Sequence, residues 1–207
     1  GDPVNIKTDV GPVITAEAAN KINGYIEHKC AQGTVLHEVE KPNHGNFVAP
    51  CMIQVDGIQD LKEEIFGPVL HVATFDAQEL DTVVNAINET GYGLTFGLHT
   101  RIENRVETIA KQIHCGNIYV NRNQIGAIVG SQPFGGEGLS GTGPKAGGPN
   151  YLGRFTRLLT DPIATTSHTQ TDDANSLCVE EELPGPTGEQ NLLRLIPRDP
   201  LLCAGPT

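Results

Sequence analysis

The sequence predicts an α/β fold in which helices flank a mostly parallel sheet and an extended tail follows. Short apolar runs typical of strands alternate with segments whose apolar residues recur every three or four positions, as in helices. A strand, a helix and a second strand in this order favour parallel pairing through a right-handed crossover. Ligands of such sheets lie beyond the carboxyl ends of the strands, where this sequence places a long glycine-rich loop.

Two helices are predicted in the first part of the chain. The first covers residues 15–32, because Thr15 can cap its amino end and Gly33 can end it. The second follows a D-x-x-E capping box formed by Asp76 and Glu79. Its apolar stripe consists of Leu80, Val83, Val84 and Ile87.

Three strands are predicted around these helices, at residues 34–39, 47–55 and 69–75. Pro50 interrupts the second strand. Because proline has no N–H to donate to a ladder, its position predicts that this strand lies at the edge of the sheet.

A strand–helix–strand unit follows at residues 94–121. The apolar stripe of its helix consists of Ile102, Val106, Ile109 and Ile113, and Gly116 is predicted at its carboxyl end. The second strand leads into the glycine loop (residues 126–148), which contains nine glycines. A loop this long within a domain is usually functional, so we expect a ligand to bind there. Residues 151–160 are expected to be extended, and residues 161–188 to form an acidic linker or loosely packed tail.

The formal net charge of -11 argues against a nucleic-acid partner, whose phosphates require a basic surface. No apolar run has the length of a membrane span. The five cysteines are widely spaced and odd in number, which favours a reducing, cytoplasmic setting over a disulfide framework. The seven histidines show no ligand spacing, so no metal site is predicted.

Two motifs have simple explanations. Residues 136–141 satisfy G-x-G-x-x-G, but neither a hydrophobic strand before them nor a helix after them is predicted, so we interpret the match as coincidence. Cys115 lies beside His114 and is the only candidate nucleophile by position, although an ordinary half-buried cysteine is the favoured interpretation. Glu64 and Phe66, within residues 63–69, form a second informative patch. Taken alone, a solvated corner is the favoured interpretation, but taken with the glycine loop the patch is of interest, since a carboxylate beside an aromatic ring suits a nucleoside.

Four motifs, in this order and spacing, resemble the aldehyde dehydrogenase superfamily over residues 1–160. They are EEIFGPV (63–69), YGLTFGLHT (92–100), GNIYVNRN (116–123) and QPFGGEGLSGTGPKAGGPNYL (132–152). The glycine loop is similar to that of the L-glutamate γ-semialdehyde (Δ1-pyrroline-5-carboxylate) dehydrogenase branch. The tail segment LPGPTGEQN resembles the C-terminal extension of bacterial bifunctional proline utilization A proteins.

The resemblance implies roles for residues at matching positions. Glu64 is expected to hold the nicotinamide ribose of NAD, and Phe66 to pack against the nicotinamide. The backbone N–H groups of Gly126 and Ala127 are expected to bind the α-carboxylate of L-glutamate γ-semialdehyde, and Phe134 to line its aliphatic stem. Glycine-rich backbone is well suited to binding anions in this way.

In the family, the catalytic cysteine, the general-base glutamate and the oxyanion-hole asparagine precede the segment that TDVGPVI (8–14) resembles. We therefore assign no catalytic residue here, and we expect a fragment that is cut at both ends and inactive by itself. The resemblance divides it into the C-terminal part of a catalytic domain (1–150), an oligomerisation strand (151–170), and an acidic linker with the start of a truncated extension (171–207).

The expected parent protein is a cytoplasmic homo-oligomer. Its cysteine attacks the aldehyde, a hydride passes to NAD, and hydrolysis of the thioester gives L-glutamate. Two alternatives remain open from the sequence: a binding or oligomerisation module without chemistry, and a dehydrogenase for another semialdehyde.

Overall fold

The first helix begins where its sequence predicts. In the computed structural model, which describes residues 1–156 and 179–196, the Thr15 hydroxyl oxygen accepts a hydrogen bond from the N–H of Ala18 at 3.1 Å and caps α1 (Ala16–Ala31). Gly33, with φ of 72°, turns the chain out of the helix in a conformation that favours glycine. The chain divides into two units, residues 1–90 and 91–207.

The first unit contains a three-stranded sheet. Its strands are β1 (Val35–Glu38), β2 (Cys51–Gln54) and β3 (Val69–Val72), with β2 in the centre, antiparallel to β1 and parallel to β3. The prediction that Pro50 marks an edge strand is therefore wrong. Pro50 precedes the ladder and contributes its carbonyl, which accepts from the N–H of Val39 at 3.0 Å, so its missing N–H costs the sheet nothing.

One face of α1 covers this sheet and forms the core of the first unit. Its apolar positions lie one helical turn apart, so they share one side of the helix. The buried residues of the core are Ala19, Ile22, Ile26, Val48, Cys51, Ile53 and Val55. Ile53, at the centre of β2, is fully buried, and burial of such a side chain stabilises the fold by about 1.5–3 kcal/mol.

The second helix starts with a tighter turn than predicted. Asp76 Oδ1 accepts from the N–H of Gln78 at 2.8 Å and opens a 3-10 turn (Ala77–Glu79), which continues into α2 (Leu80–Glu89). In the described residues the Glu79 side chain makes no returning bond to Asp76, so only half of the predicted capping box forms.

The second unit begins with β4 (Tyr92–Gly93) and a strand–helix–strand unit. Here β5 (Thr95–Leu98), α3 (Glu103–Gln112) and β6 (Asn117–Val120) follow one another, and β5 pairs with β6 in parallel. This arrangement confirms the predicted fold class.

Gly116 does not cap α3, contrary to the prediction. The helix ends at Gln112, and the backbone of the next residue, Ile113, is extended. Instead, Gly116 lies where three backbone segments meet: its N–H donates to the Gly93 carbonyl at 3.0 Å, and a Cβ at Gly116 would overlap the Gly135 carbonyl oxygen. Only a residue without a side chain fits between these segments.

The glycine loop folds back on itself. Phe134 and Ala146 exchange both backbone hydrogen bonds, at 2.9 and 2.8 Å, and the N–H of Gly130 donates to the Gly147 carbonyl at 3.0 Å. Within the loop, β7 (Glu137–Gly138) pairs antiparallel with β4. The loop is therefore an ordered part of the second unit.

The tail differs from its prediction in two places. Residues 152–155 form a 3-10 helix (Leu152–Phe155) where extended chain was expected; most of the predicted oligomerisation strand lies outside the described residues. β8 (Val179–Leu183), in the predicted acidic linker, pairs antiparallel with β9 (Asn191–Leu195), which lies in the segment expected to begin the truncated extension, and the two form a hairpin.

One cross-strand pair of the hairpin joins opposite charges. Arg194 Nε lies 2.6 Å from Glu180 Oε2, and these two residues are directly paired across the strands. Gly188, with φ of 91°, accommodates the connection. None of the α-helices in the described ranges combines the length and apolar character that crossing a membrane requires.

Candidate functional site

The segment Glu64–Phe66 presents its flanking side chains outward. Ile65 is half-buried and packs against the core of the first unit, whereas Glu64 and Phe66 are exposed. The Glu64 carboxylate and the Phe66 ring are therefore both open to solvent. Phe66 has 78% of its surface exposed. We call Glu64 and Phe66 the cofactor patch.

The cofactor patch borders a cavity of about 190 Å³ against α1. The helix contributes Ala18, Lys21, Ile22 and Tyr25 to its lining. Gly67 allows the close approach, since a Cβ there would lie 2.8 Å from Ile22 Cδ1. Lys21 Nζ and Glu63 Oε2 form an exposed ion pair at 2.8 Å, which contributes about 0–1 kcal/mol.

The contacts between the cofactor patch and a nicotinamide ribose stay a prediction, and both side chains are exposed. In the described residues no side chain or backbone group hydrogen-bonds to the Glu64 carboxylate, so its oxygens are free to accept from two hydroxyls. The exposed face of Phe66 can stack on a planar ring. The cavity beside them gives such a group room.

Tyr25 and His71 form a pair that the sequence analysis missed. The Tyr25 hydroxyl lies 2.8 Å from His71 Nε2, and the rings meet edge to face with their centroids 5.8 Å apart. Burial, reinforced by the positive charge of Lys29, lowers the pKa of His71. The imidazole is therefore neutral at pH 7 and can accept the phenolic proton. No local pattern links these residues, because they meet only when α1 packs on β3.

Gly126 and Ala127 offer two backbone donors at an open surface. Gly126 has φ of 75°, and a Cβ placed there would meet no atom within 4 Å. Within the described part of the chain, no protein atom accepts a hydrogen bond from the N–H of either residue. Two adjacent N–H groups without protein partners suit an anion.

Tyr119 holds the carbonyl of Gly126 by a hydrogen bond. The Tyr119 hydroxyl donates to Gly126 O at 3.1 Å, and its ring is 5% exposed on β6. The Arg122 guanidinium lies 5.4 Å from the centre of that ring, within the range of a cation–π contact. The sequence analysis placed Tyr119 on a strand but gave it no role.

Phe134, the third predicted substrate residue, is half-buried further along the same loop. Its backbone pairing with Ala146 fixes its place in the loop. The structure thus places Gly126, Ala127 and Phe134 in the second unit and the cofactor patch in the first.

Lys145 ties the glycine loop to β6. Its ammonium group donates to the Gly116 carbonyl, to Asn117 Oδ1 at 3.0 Å and to the Gly135 carbonyl at 3.3 Å. The Asn117 side chain completes the cluster, because its Nδ2 donates to Pro133 O at 2.9 Å and its Oδ1 accepts from the N–H of Gly135 at 3.1 Å.

Burial lowers the pKa of Lys145, although the charge of Glu137 and the Cys115 thiol oppose this shift. The sequence analysis missed this cluster. A single lysine in an otherwise uncharged stretch of the loop was the signal that could have found it.

Cys115 is an ordinary buried cysteine, as the favoured interpretation expected. It is 8% exposed and its thiol donates to Asn117 O at 3.4 Å. Burial raises the pKa of the Cys115 thiol, and the Asn117 backbone only partly opposes this effect. A protonated, enclosed thiol is a poor nucleophile. Cys178 and Cys203 lie outside the described residues, and in the described ranges no three His, Cys, Asp or Glu side chains form a metal-binding group.

The G-x-G-x-x-G match at residues 136–141 is confirmed as coincidence. Its first part is the short strand β7, and the N–H of Leu139 donates to the Gly91 carbonyl at 2.9 Å. Residues 142–148 form no helix, so the helix terminus that a dinucleotide fingerprint needs is missing there.

The C-terminal hairpin contacts both sides of the predicted substrate-binding segment. One Glu189 carboxylate oxygen accepts from Arg122 Nη1 and the other from Gln132 Nε2, each at 3.4 Å. Gln132 Nε2 also lies 3.4 Å from Asn191 Oδ1. These distances are long, so the contacts are weak individually.

Comparison with known proteins shows the family of the chain. The model of the aldehyde dehydrogenase family matches residues 1–160. A bifunctional protein PutA from Klebsiella aerogenes is 41% identical over 249 aligned residues, which cover 98% of this chain and 19% of the relative. The alignment with PutA thus extends past residue 160 into the tail. The chain spans about a fifth of the length of such curated relatives.

Solved structures show the same relationship. A variant of proline utilization A from Bradyrhizobium japonicum has 50% identity and a TM-score of 0.72, covering 75% of this chain and 16% of that one. A 1-pyrroline-5-carboxylate dehydrogenase from Thermus, solved with bound NAD, has 38% identity and a TM-score of 0.64, covering 74% of this chain and 30% of that one. From the family match and these identities, the chain belongs to the aldehyde dehydrogenase family.

Proposed function

We propose that this chain is part of an NAD-dependent L-glutamate γ-semialdehyde dehydrogenase that acts in proline catabolism. The observation that carries the proposal is the pair of unpartnered backbone N–H groups at Gly126 and Ala127. Through these groups the glycine loop can bind a substrate that has a carboxylate. The name of the relative from Thermus, 1-pyrroline-5-carboxylate dehydrogenase, supports this substrate, and that of the relative from Bradyrhizobium japonicum, proline utilization A, supports proline catabolism.

Each predicted residue has a part in this function. Gly126 and Ala127 bind the α-carboxylate, and Phe134 lines the aliphatic stem of the substrate. Glu64 accepts hydrogen bonds from the nicotinamide ribose, and Phe66 packs against the ring. Bound NAD would supply the hydride acceptor for the oxidation, and Glu64 and Phe66 would hold its nicotinamide end.

The described residues supply binding and orientation in this scheme. Positioning a substrate relative to the reacting groups can contribute several kcal/mol to catalysis, on the order of 7–11 for well-aligned groups. The buried, protonated thiol of Cys115 does not serve as the nucleophile. We therefore propose that the chain by itself does not oxidise aldehydes, and that the whole enzyme is a cytoplasmic homo-oligomer.

The test uses the whole enzyme and follows NAD reduction. Wild-type enzyme is expected to oxidise L-glutamate γ-semialdehyde far more efficiently than pentanal, an uncharged aldehyde. In the variant Gly126→Pro the donor N–H is lost and φ is forced away from its value of 75°. We expect its KM to rise for the carboxylated aldehyde and to stay nearly unchanged for pentanal.

Gly130→Ala is the matched control. Gly130 also has a positive φ, of 83°, and open space around it, but its N–H is already bound to the Gly147 carbonyl. Its substitution strains the same loop without removing a free donor, so KM values should change little. An equal rise in KM for both aldehydes in Gly126→Pro would count against the carboxylate-binding role.

A further inference from the structure

We propose that Tyr119 is a positioning residue that orients the peptide between Gly126 and Ala127 so that the Ala127 N–H faces the substrate carboxylate. This inference rests on the proposed function and adds a residue to it. The contact that carries it is the hydrogen bond from the Tyr119 hydroxyl to Gly126 O at 3.1 Å.

Peptide geometry connects this hydrogen bond to the Ala127 N–H. The chain has no cis peptide bonds in its described residues, so the Gly126 carbonyl and the Ala127 N–H belong to one planar trans unit. In such a unit the C=O and N–H bonds point in opposite directions. Because Tyr119 holds the carbonyl, the Ala127 N–H must point away from the tyrosine ring.

The opposite side of this peptide is open. Gly126 and Ala127 are both exposed, and a Cβ at Gly126 would have no neighbour within 4 Å. In the described residues the Ala127 N–H has no protein acceptor. The N–H therefore faces space into which a carboxylate can enter.

Because residue 126 is a glycine, a contact from another residue is needed to fix the orientation of the peptide that follows it. A glycine adopts positive and negative φ with similar ease, so the peptide that follows it can flip at low cost. A flipped peptide would turn the Ala127 N–H toward β6 and present a carbonyl oxygen to the substrate, which repels a carboxylate. The Tyr119 hydrogen bond selects the orientation that presents the donor.

Tyr119 is itself held firmly. Its side chain is 5% exposed, so its rotamer is restricted by packing. The Arg122 guanidinium covers its ring at 5.4 Å, and Arg122 is in turn 3.4 Å from Glu189 of the hairpin. Burial raises the pKa of Tyr119, which keeps the hydroxyl protonated as a donor at neutral pH.

The experiment compares Tyr119→Phe with wild type in the whole enzyme, with L-glutamate γ-semialdehyde and pentanal as substrates. The substitution removes one hydroxyl and leaves the ring in place. We expect KM for the semialdehyde to rise about 3- to 10-fold, the effect of one hydrogen bond, while kcat changes less than about twofold. Both constants for pentanal should remain at their wild-type values.

Tyr151→Phe is the matched control, since its ring meets that of Phe155 edge to face, with centroids 5.6 Å apart, and lies outside the proposed binding residues. Its constants should equal those of wild type. An equal change for both aldehydes in Tyr119→Phe, or no change for either, overturns the positioning role. If wild-type enzyme does not oxidise the semialdehyde at all, the proposed function itself fails, which is a different outcome.

A second measurement does not depend on the variant. Amide hydrogen exchange in wild-type enzyme should show the Ala127 N–H exchanging rapidly without ligand and more slowly when L-glutamate, the product, is bound. Slow exchange of Ala127 in the ligand-free enzyme would mean that its N–H faces a protein acceptor, and would overturn the proposal.

Discussion

Replacing Lys145 by methionine tests the cluster that ties the glycine loop to β6. The substitution keeps much of the aliphatic side chain but removes all three donated hydrogen bonds. Asn117 Oδ1 retains another donor, the N–H of Gly135 at 3.1 Å, and the bond to Gly135 O is already long at 3.3 Å. The principal loss is therefore the donor to the Gly116 carbonyl.

The expected cost follows from that one carbonyl. The Gly116 carbonyl is half-buried, and an acceptor removed from water and left without a donor costs up to about 1–3 kcal/mol. Removing the charged donor does not cost the full strength of its hydrogen bonds. Burial of the ammonium group is itself unfavourable, which lowers the pKa of Lys145, and this penalty offsets part of what the bonds contribute. A change of this size makes local opening of the loop about 5- to 150-fold more frequent.

Amide hydrogen exchange measures this opening in the whole enzyme, since a stable region exchanges through transient local unfolding. Peptides covering residues 130–148 should exchange faster in Lys145→Met by that factor. Lys62→Met is the matched control, because Lys62 is exposed and donates to a single carbonyl, Gln59 O at 2.8 Å. Less than a twofold change in residues 130–148, or an equal increase across β2, would refute this account of the cluster.

Three further predictions concern other parts of the chain. Ile53→Ala should destabilise the first unit by about 2–5 kcal/mol, and Ile53→Val by about 0.5–1.5, measured by amide exchange in β2. The pKa of a histidine is near 6.5 in the unfolded state, whereas the pKa of His71 is lower in the folded state. The unfolded state therefore binds more protons, and the stability of the fold should fall as pH drops below about 6.5. Amide exchange of β3 at pH 7.5 and 5.5 should show this loss in wild type and not in His71→Asn. Finally, iodoacetamide should modify exposed Cys30 at least about tenfold faster than buried Cys115, and equal rates by peptide mass spectrometry would contradict the assigned burial.

Local sequence signals were sufficient where one short segment determines the structure. Thr15 caps the amino end of α1 and Gly33 follows its carboxyl end, as predicted, because capping and helix termination depend on neighbouring residues alone. The parallel pair β5–β6 followed from the strand–helix–strand order. Glu64 and Phe66 are both exposed, and their roles toward NAD stay predictions.

Contacts between distant segments escaped prediction. Pro50 was misread because its carbonyl, and not its missing N–H, joins the ladder. The hairpin was missed because the partner of Glu180 is Arg194, on the other strand. The cluster around Lys145 joins residues up to 29 positions apart, and no periodic pattern in a sequence indicates contacts between residues so far apart.

The crowded position of Gly116 affects how variants of this protein should be interpreted. In a saturation screen scored by activity, every substitution at Gly116 would fail as completely as a substitution at a ligand-binding residue, although Gly116 is assigned no ligand. The cause is the absence of room for a Cβ beside Gly135 O. Measuring protein abundance alongside activity separates the two classes: Gly116 variants should be lost from the soluble fraction, whereas Tyr119→Phe should accumulate normally.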